Sequence, residues 1–308
     1  MMKLTKPLTG VLPVAPTVFH EDGALDLAGQ KRVMDLMVDQ GSDAICILAN
    51  FSEQFVMTDE ERSVSTEACL KQVNGRVPVI VTCSHFSTQI AASRAKHAAD
   101  HGASMLMLMP PYHGAALQAD EGMMIEHFAA VAKASGLPIM VQDAPLSGVR
   151  LSVPFLTRLA EEVPQVSYFK IEVAFAAQKL RDLIASGGKP IVGPFDGEES
   201  ITLMADLDAG ATGSMCSAMI PDLIKPIITA HLGGDRAKAA ALYKNLLPLI
   251  NYENRQCGLR SAKAVMMAGG VIKSDHVRHP LRPLHPETRK GLLELAQEVK
   301  PLALHWGK

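Results

Sequence analysis

The chain has 308 residues, of which 48% are hydrophobic and 20% charged, a composition typical of an ordinary globular protein rather than a disordered one. Its formal net charge of −2 creates no global field that would attract nucleic acid or an anionic membrane. We therefore expect neither of them as a partner.

The five cysteines are far apart and form no Cys-x-x-Cys pair, so neither a disulfide framework nor a zinc site is expected. The N-terminal stretch MMKLTKPLTG has no apolar run long enough for a signal peptide, and no later run is long enough to span a bilayer. These features predict a cytoplasmic protein with reduced thiols.

Eight short apolar runs alternate with amphipathic segments along the chain. We predict them to be strands, at residues 11–18, 43–49, 77–82, 104–109, 137–141, 166–171, 190–193 and 211–215. Between them lie helix signals: residues 58–61 (TDEE) have the form of a capping box, and Gly41 and Gly102 follow the predicted ends of two helices. The pattern is strand, helix, strand throughout.

Near-continuous apolar strands separated by helices indicate a parallel sheet whose outer face is covered. Eight such units, with no G-x-G-x-x-G turn after the first strand, favour an α/β fold of the closed (β/α)8 TIM barrel type over an open doubly wound sheet. We predict that residues 1–220 form the barrel catalytic domain. Residues 221–308, which have only helical patterns, are predicted to be the last barrel helix and a C-terminal helical extension.

Polar side chains follow several predicted strands at their carboxyl ends, which in a barrel meet at one active face. They comprise Asn50, Ser52 and Glu53 after the second strand, Tyr112 after the fourth, Asp143 after the fifth, and Gly197 and Glu198 after the seventh. Each is a weak signal by itself, because residues of these types are common in loops. Their convergence on one face predicts a site for a small molecule.

The sixth predicted strand contains a lysine inside the apolar run YFKIEVAF, residues 168–175. Because side chains alternate along a strand, Tyr168, Lys170 and Glu172 share one face, which we assign to the barrel lumen. Desolvation or a nearby cation can lower the pKa of a lysine from about 10.4 toward 7, and a lysine so altered forms Schiff bases. The alternative is a structural ion pair of Lys170 with Glu172 or with another carboxylate at the rim of the barrel.

Together these residues resemble the pyruvate-type class I aldolase family that includes dihydrodipicolinate synthase and N-acetylneuraminate lyase. The resemblance covers nearly the whole chain, and it rests on the opening GVLPVAPTVF (10–19), the Pro-x-Tyr motif ending at Tyr112, the lysine of strand six and Gly-Ala-x-Gly at 210–213. It implies that Lys170 forms a Schiff base with a 2-keto acid and that Tyr112 relays protons. It also implies a homotetramer made of two dimers.

Neither a cofactor nor a metal is expected, because a covalent lysine imine with the substrate supplies the electron sink. His276, His279 and His285 lie in a proline-rich segment, and their spacing suits a solvated loop better than a metal site.

Departures from the family pattern narrow the expected reaction. The family's Gly-Thr-Thr-Gly-Glu loop is replaced by ANFSE at 49–53, where Phe51 cannot support a relay tyrosine although Asn50 can still contact a carboxylate. The arginine that the synthase carries after strand five has no counterpart in PLSG at 145–148, so synthase activity is not expected. The carboxylate after strand six is displaced by one residue to Glu172, which turns it into the lumen.

These departures resemble the sugar-acid dehydratase branch of the family, which implies loss of water from 2-keto-3-deoxy-L-arabonate. Tyr112 and Glu172 are the candidates for the two proton transfers, and the sequence does not divide their roles. The expected substrate-binding residues are Asn50, Ser52, Glu53, Asp143, Gly197 and Glu198. Two alternatives stay open: a pyruvate-forming aldolase for a 2-keto-3-deoxy sugar acid, and a barrel that binds a sugar acid without turning it over.

Overall fold

Eight parallel strands form the centre of the molecule, a computed structural model that describes residue 4 and the ranges 6–113 and 117–308. The strands are β1 (Gly10–Val11), β2 (Ile45–Ile47), β3 (Val79–Thr82), β4 (Met105–Leu108), β5 (Ile139–Asp143), β6 (Val166–Ile171), β7 (Gly193–Asp196) and β8 (Gly213–Ser214). Their spatial order is β1, β8, β7, β6, β5, β4, β3, β2. Val14, just beyond β1, bridges both Cys46 of β2 and Ser217 beyond β8, so the sheet closes into the predicted (β/α)8 barrel.

Helices cover the outside of this barrel between successive strands. They are α1 (Leu27–Asp39), α2 (Asp59–Val73), α3 (Thr88–Asp100), α4 (Glu121–Ser135), α5 (Val153–Glu162), α6 (Ala176–Gly187), α7 (Leu203–Asp208) and α8 (Pro221–Leu232). The capping box predicted at residues 58–61 is present, since Thr58 and Glu61 exchange side-chain and backbone hydrogen bonds. The helices α1 and α3 end just before Gly41 and Gly102, as predicted.

Two predicted strands are misplaced. The first, predicted at 11–18, has a ladder only at Gly10–Val11 and isolated bridges at Val14, because Pro13 and Pro16 have no N–H to donate. The seventh, predicted at 190–193, lies at Gly193–Asp196. Pro190 is in a turn, and the strand pairs with β6 only from Gly193 onward. Phe195 and Asp196 are therefore strand residues and not loop residues.

The barrel has an inner and an outer core. Tyr168 packs in the lumen with residues such as Met140 and Phe195, whereas Phe169 and Ile171 pack outside against the helical layer. This alternation confirms the prediction that Tyr168 and Lys170 share the lumenal face of β6.

Helices and turns follow α8 to the end of the chain. They are α9 (Arg236–Tyr252), a π-helical turn (Glu253–Cys257), a 3-10 turn (Gly258–Arg260), α10 (Ser261–Ala268), α11 (Pro286–Val299) and a last 3-10 turn (Leu302–Leu304). A buried ion pair between Lys263 of α10 and Glu53 ties this region to the barrel. None of the helices in the described ranges has the length and apolarity needed to cross a membrane.

Candidate active site

Lys170 lies at the carboxyl end of β6, where the barrel opens, and only 2% of its surface is exposed. Its Nζ forms an ion pair with a carboxylate oxygen of Glu172. The amide Nε2 of Gln142, at the end of the neighbouring β5, donates to the same oxygen of Glu172 at 3.0 Å. Amine, carboxylate and amide thus form one contact group at the mouth of the lumen.

The charge state of Lys170 follows from its neighbours. Burial lowers the pKa of this lysine, but the carboxylates of Glu172 and Glu199 outweigh burial and hold the pKa above its ordinary value. The expected lowering toward neutrality is therefore absent, and in this structure the amine is protonated. A nucleophilic Lys170 requires a neighbouring base that takes its proton, and Glu172 is in direct contact with it.

A cavity of about 250 Å³ opens directly onto Lys170 and Glu172. Its other walls are largely apolar, with the side chains of Asn50 and Gln142 among the few polar groups. This volume is slightly below the roughly 300–1,000 Å³ of sites for drug-sized ligands, so it suits a small metabolite. A purely structural ion pair would need no such cavity.

Gly197 allows the loop after β7 to pass closely over this pair. A Cβ at this position would lie 2.6 Å from Cγ of Glu172 and 2.8 Å from Cγ of Lys170. Any larger residue would have to displace the side chain of Lys170 or Glu172 or the carbonyl oxygen of Ile171. The structure thus places Gly197 at the site, as a residue that permits close packing.

Glu198, the next residue, is partly exposed at the edge of this loop, where its carboxylate lies 3.7 Å from the guanidinium of Arg255. Burial raises the pKa of Glu198 above its ordinary value. The negative charge of Glu172, the partner of Lys170, also raises the pKa of Glu198.

A group of buried carboxyls lies behind the lysine, and sequence reasoning missed it. Burial raises the pKa of Glu199 well above its ordinary value, although Lys170 opposes the rise. Asp196 and Asp206 are neighbouring buried carboxyls whose pKa values burial raises, so the pair loses its protons at a higher pH than ordinary aspartates do. The cluster of acids in DGEES (196–200) was the available signal.

Glu253 is the fourth member of this group and lies in the π-helical turn. Burial raises its pKa to about 7, while hydrogen bonds from Ser261 and Ser217 oppose the rise. Its Oε2 has no hydrogen-bond partner within the described ranges. No local pattern in the sequence indicated that a glutamate between α9 and α10 would reach the barrel.

The loop after β2 brings only part of its predicted set to the cavity. Asn50 lines it and receives a hydrogen bond from Gln54 on its Oδ1 at 2.7 Å. Ser52 is 1% exposed, donates to the carbonyl oxygen of Ala15 at 2.5 Å and accepts from the N–H of Ala49. The hydroxyl of Ser52 therefore holds the loop in place, and the prediction that it binds substrate is not supported.

Glu53 does not face the cavity. Its side chain is fully buried in the ion pair with Lys263, and a second carboxylate oxygen accepts from the N–H of Arg278. The substrate-binding role predicted for Glu53 is wrong in this geometry, because Lys263 already neutralises the carboxylate in the interior.

Asp143 also faces away from the cavity. It lies opposite Ile171 in the ladder between β5 and β6, on the outer face, and its carboxylate binds Nζ of Lys179 at 2.5 Å. The neighbouring residue of β5, Gln142, faces the lumen and lies opposite Lys170. The structure therefore does not bring Asp143 to the predicted site, and Gln142 occupies the lumenal position in its place.

Tyr112 lies in a different cavity from Lys170. That cavity is lined by residues including Phe55, Ser84 and His85, and Phe55 contributes to both cavities. Burial raises the pKa of the Tyr112 phenol. The structure thus does not bring Tyr112 into the contact group of Lys170 and Glu172.

The sequence of residues 7–299 matches the model of the Dihydrodipicolinate synthetase family. Over 297 residues the chain is 56% identical to an L-2-keto-3-deoxyarabonate dehydratase of Azospirillum brasilense, with 96% of each chain covered. It is 30% identical over 289 residues to a 4-hydroxy-tetrahydrodipicolinate synthase of Streptomyces coelicolor, with 93% of each chain covered.

A solved structure matches the fold over nearly its whole length. YagE, a prophage protein of Escherichia coli K12 from the dihydrodipicolinic acid synthase family crystallised with pyruvate, superposes with a TM-score of 0.88 at 26% identity. The match covers 96% of this chain and 99% of YagE.

Proposed function

The chain belongs to the dihydrodipicolinate synthetase family, and we propose that it is a hydro-lyase that dehydrates 2-keto-3-deoxy-L-arabonate to 2,5-dioxopentanoate through an imine on Lys170. The relative that is 56% identical carries the name of this dehydratase. The observation that carries the proposal is the contact between Lys170 and Glu172 inside a cavity of metabolite size. It sets an amine beside a carboxylate that can exchange protons with it.

The first step forms the imine. Glu172 takes a proton from the ammonium of Lys170, and the free amine attacks carbon 2 of the keto acid. The carbonyl oxygen takes one proton from the attacking nitrogen and one back from Glu172 and leaves as water, so carbon 2 becomes an iminium and Glu172 is again a carboxylate. Once the iminium has formed, the nitrogen of Lys170 is bonded to carbon 2 and is no longer a free amine. The raised pKa of the free amine therefore does not slow the later steps.

The second step removes water from carbons 3 and 4. The iminium acidifies the hydrogens on carbon 3, and a base removes one of them to give an enamine. The hydroxyl on carbon 4 leaves when an acid protonates it. We assign both transfers to Glu172, because it touches Lys170, whereas Tyr112 lies in another cavity. Carbon 5 then gives up a proton while carbon 3 gains one, which leaves an enol between carbons 4 and 5. The enol hydroxyl loses its proton as carbon 4 gains one, so carbon 5 becomes an aldehyde, and hydrolysis of the imine releases the dioxo product.

Three other groups support this chemistry. Gln142 orients Glu172 through its 3.0 Å hydrogen bond, so the carboxylate stays beside the lysine while its charge changes. Asn50, which lines the same cavity, is our candidate for binding the substrate carboxylate, together with backbone amides of its loop. Glu198, at the edge of the loop that begins with Gly197, is our candidate for binding a sugar hydroxyl.

Product analysis tests the proposal. The enzyme is incubated with 2-keto-3-deoxy-L-arabonate, and the products are identified by mass spectrometry. A dehydratase gives 2,5-dioxopentanoate as the only carbon product. Glycolaldehyde plus pyruvate would instead establish an aldolase, and unchanged substrate with measurable binding would establish a binding protein.

The remaining expectations concern cofactor, assembly and location. The imine supplies the electron sink, so the reaction as proposed needs no metal or organic cofactor. The family resemblance supports a homotetramer made of two dimers, which a measurement of the molar mass in solution would test. The five cysteines are all buried thiols, which is compatible with a reducing, cytoplasmic location.

A further inference from the structure

Two histidines and one glutamate meet on the outer surface of the barrel, away from Lys170, and we propose that they form a binding site for a divalent transition-metal ion. The residues are Glu67 of α2 and the pair His97 and His101 at the end of α3. Each offers one ligand atom, and the three atoms lie within 4.8 Å of one another. From the sequence we considered only His276, His279 and His285 and assigned them to a solvated loop, although His-x-x-x-His on one helix face is a spacing that metal sites use.

The distances suit an ion with little rearrangement. Nε2 of His97 lies 3.5 Å from Oε1 of Glu67, and Nε2 of His101 lies 3.6 Å from the same oxygen. Ligands bound at about 2.1 Å to a tetrahedral ion are about 3.4 Å apart. The three atoms are therefore nearly at the separation that such an ion would impose.

The hydrogen bonding of the histidines also favours metal binding. Nδ1 of His101 lies 2.8 Å from the carbonyl oxygen of His97. A carbonyl can only accept, so Nδ1 carries the hydrogen and the lone pair of Nε2 is available to a metal. Nε2 of His97 is buried and makes no hydrogen bond to any residue in the described ranges. A bound ion would satisfy this atom.

The donor set selects the kind of ion. Two imidazoles and one carboxylate suit zinc, copper, nickel or cobalt, whereas calcium and magnesium prefer oxygen ligands. The Glu67 side chain is 51% exposed and that of His101 is 39% exposed, so water can complete the coordination.

The end of α3 leads into β4 at the barrel face opposite Lys170, so the ion would link α2 to α3 without taking part in catalysis. Binding to the folded state alone raises its stability.

Titration of the metal-free protein, prepared without a histidine tag, with ZnCl₂ tests the site. We expect one equivalent of Zn²⁺ to bind by calorimetry and to raise the melting temperature, with turnover of the keto acid unchanged. His101→Gln and Glu67→Gln should each weaken Zn²⁺ binding at least tenfold and lose the rise in melting temperature. His97→Gln, at the most buried of the three positions, should do the same if it folds. The matched control is His305→Gln, an exposed histidine outside the group, which should bind Zn²⁺ like the parent protein.

Three results would overturn the proposal. One is the absence of binding at Zn²⁺ concentrations up to about 1 mM, the weak end of the affinity scale. Another is Zn²⁺ binding that the substitutions at His101 and Glu67 leave unchanged, since the ion would then bind elsewhere. The third is an equal response to Mg²⁺, which would mean a general charge effect at the carboxylate.

Discussion

At the scale of single residues, Lys170 and Glu172 act together, and neither explains the site without the other. The buried lysine is held protonated by the carboxylates around it, which makes it a poor nucleophile until one of them accepts its proton. Glu172 is the carboxylate in contact. Glu172 therefore stabilises the positive charge of the Lys170 ammonium and is also the base that removes its proton.

Glu172→Gln separates imine formation from dehydration. The amide keeps the shape of the side chain but cannot transfer the proton, so we expect kcat to fall by a factor of about 10²–10⁴, the usual contribution of a general acid–base group. Glu172 is also the largest of the charges that raise the pKa of Lys170. Without it a larger fraction of the amine is neutral and needs no base, so the lysine should still form an imine that borohydride traps. Steady-state kinetics and mass spectrometry measure the two effects.

The control for this variant is Glu162→Gln, a surface glutamate paired with Arg158. It should leave kcat unchanged. Wild-type kcat in Glu172→Gln would remove Glu172 from the mechanism.

Alternation along a strand predicted part of the site correctly and could have predicted more. It placed Lys170 and Glu172 in the lumen, which the structure bears out. The same rule applied two residues beyond the predicted end of strand five assigns Gln142 to the lumen and Asp143 to the outside. The strand was predicted to end at residue 141, and the rule was not extended to these positions. The error was in the boundary of the strand.

At the scale of secondary-structure elements, the loop after β2 is held in place by a helix that is distant in the sequence. Glu53 has a left-handed backbone, with φ of 59°, between two 3-10 turns. Its carboxylate is held by Lys263, which lies 210 residues further along the chain. No short-range pattern in the sequence could have found this partner, which is why Glu53 was misassigned to substrate.

Lys263→Met should destabilise the protein strongly, because it leaves the buried carboxylate of Glu53 without its cation. Removing one member of a buried ion pair costs about 3–5 kcal/mol. We expect a loss of this size in the free energy of unfolding, measured by urea denaturation. The double variant Lys263→Met with Glu53→Leu should recover part of the loss, because the unpaired charge is gone.

Lys290→Met is the matched control, since its side chain on α11 is 67% exposed and lies 4.0 Å from Glu294. Surface pairs of this kind contribute about 0–1 kcal/mol, so its effect should be small. A Lys263→Met protein as stable as this control would show that the buried pair does not hold the loop.

The group of buried carboxyls connects the active face to the C-terminal helices at the scale of the whole molecule. It includes Asp196 and Glu199 from β7 and its loop, Asp206 from α7 and Glu253 from the π-helical turn. Burial raises the pKa of each of these carboxyls. The folded protein therefore binds protons that the unfolded chain would release.

This retention of protons sets the direction of a pH effect. Burial raises the pKa of Glu253 from an ordinary 4.5 to about 7. Between these two values the folded state binds more protons than the unfolded state, so the free energy of unfolding falls as the pH rises. At about 1.4 kcal/mol per pH unit the contribution of Glu253 is of the order of 3 kcal/mol.

Glu253→Gln isolates this contribution, because glutamine does not titrate. The free energy of unfolding of both proteins is measured by urea denaturation between about pH 4.5 and pH 7. The parent should lose stability relative to the variant as the pH rises through this range. A difference in unfolding free energy that stays constant with pH would mean that Glu253 is ionised in the folded protein.

The fold as a whole was predictable, and its closure was less so. Eight alternating units in the sequence predicted the barrel because the strands are near-continuous apolar runs and several of the helices have local start or stop signals. The bridges of Val14 to Cys46 and Ser217 that close the sheet depend on long-range register. The group of four buried carboxyls likewise depends on packing between elements that are far apart in the chain.

Trapping of the imine on Lys170 tests the central claim most directly. The protein is mixed with 2-keto-3-deoxy-L-arabonate, reduced with sodium borohydride, digested and analysed by peptide mass spectrometry, alongside Lys170→Ala and the surface variant Lys290→Ala. We predict one reduced adduct on the peptide containing Lys170, in the parent and in Lys290→Ala, and neither adduct nor turnover in Lys170→Ala. An adduct on a different lysine, or a Lys170→Ala protein that still forms 2,5-dioxopentanoate, would contradict the account.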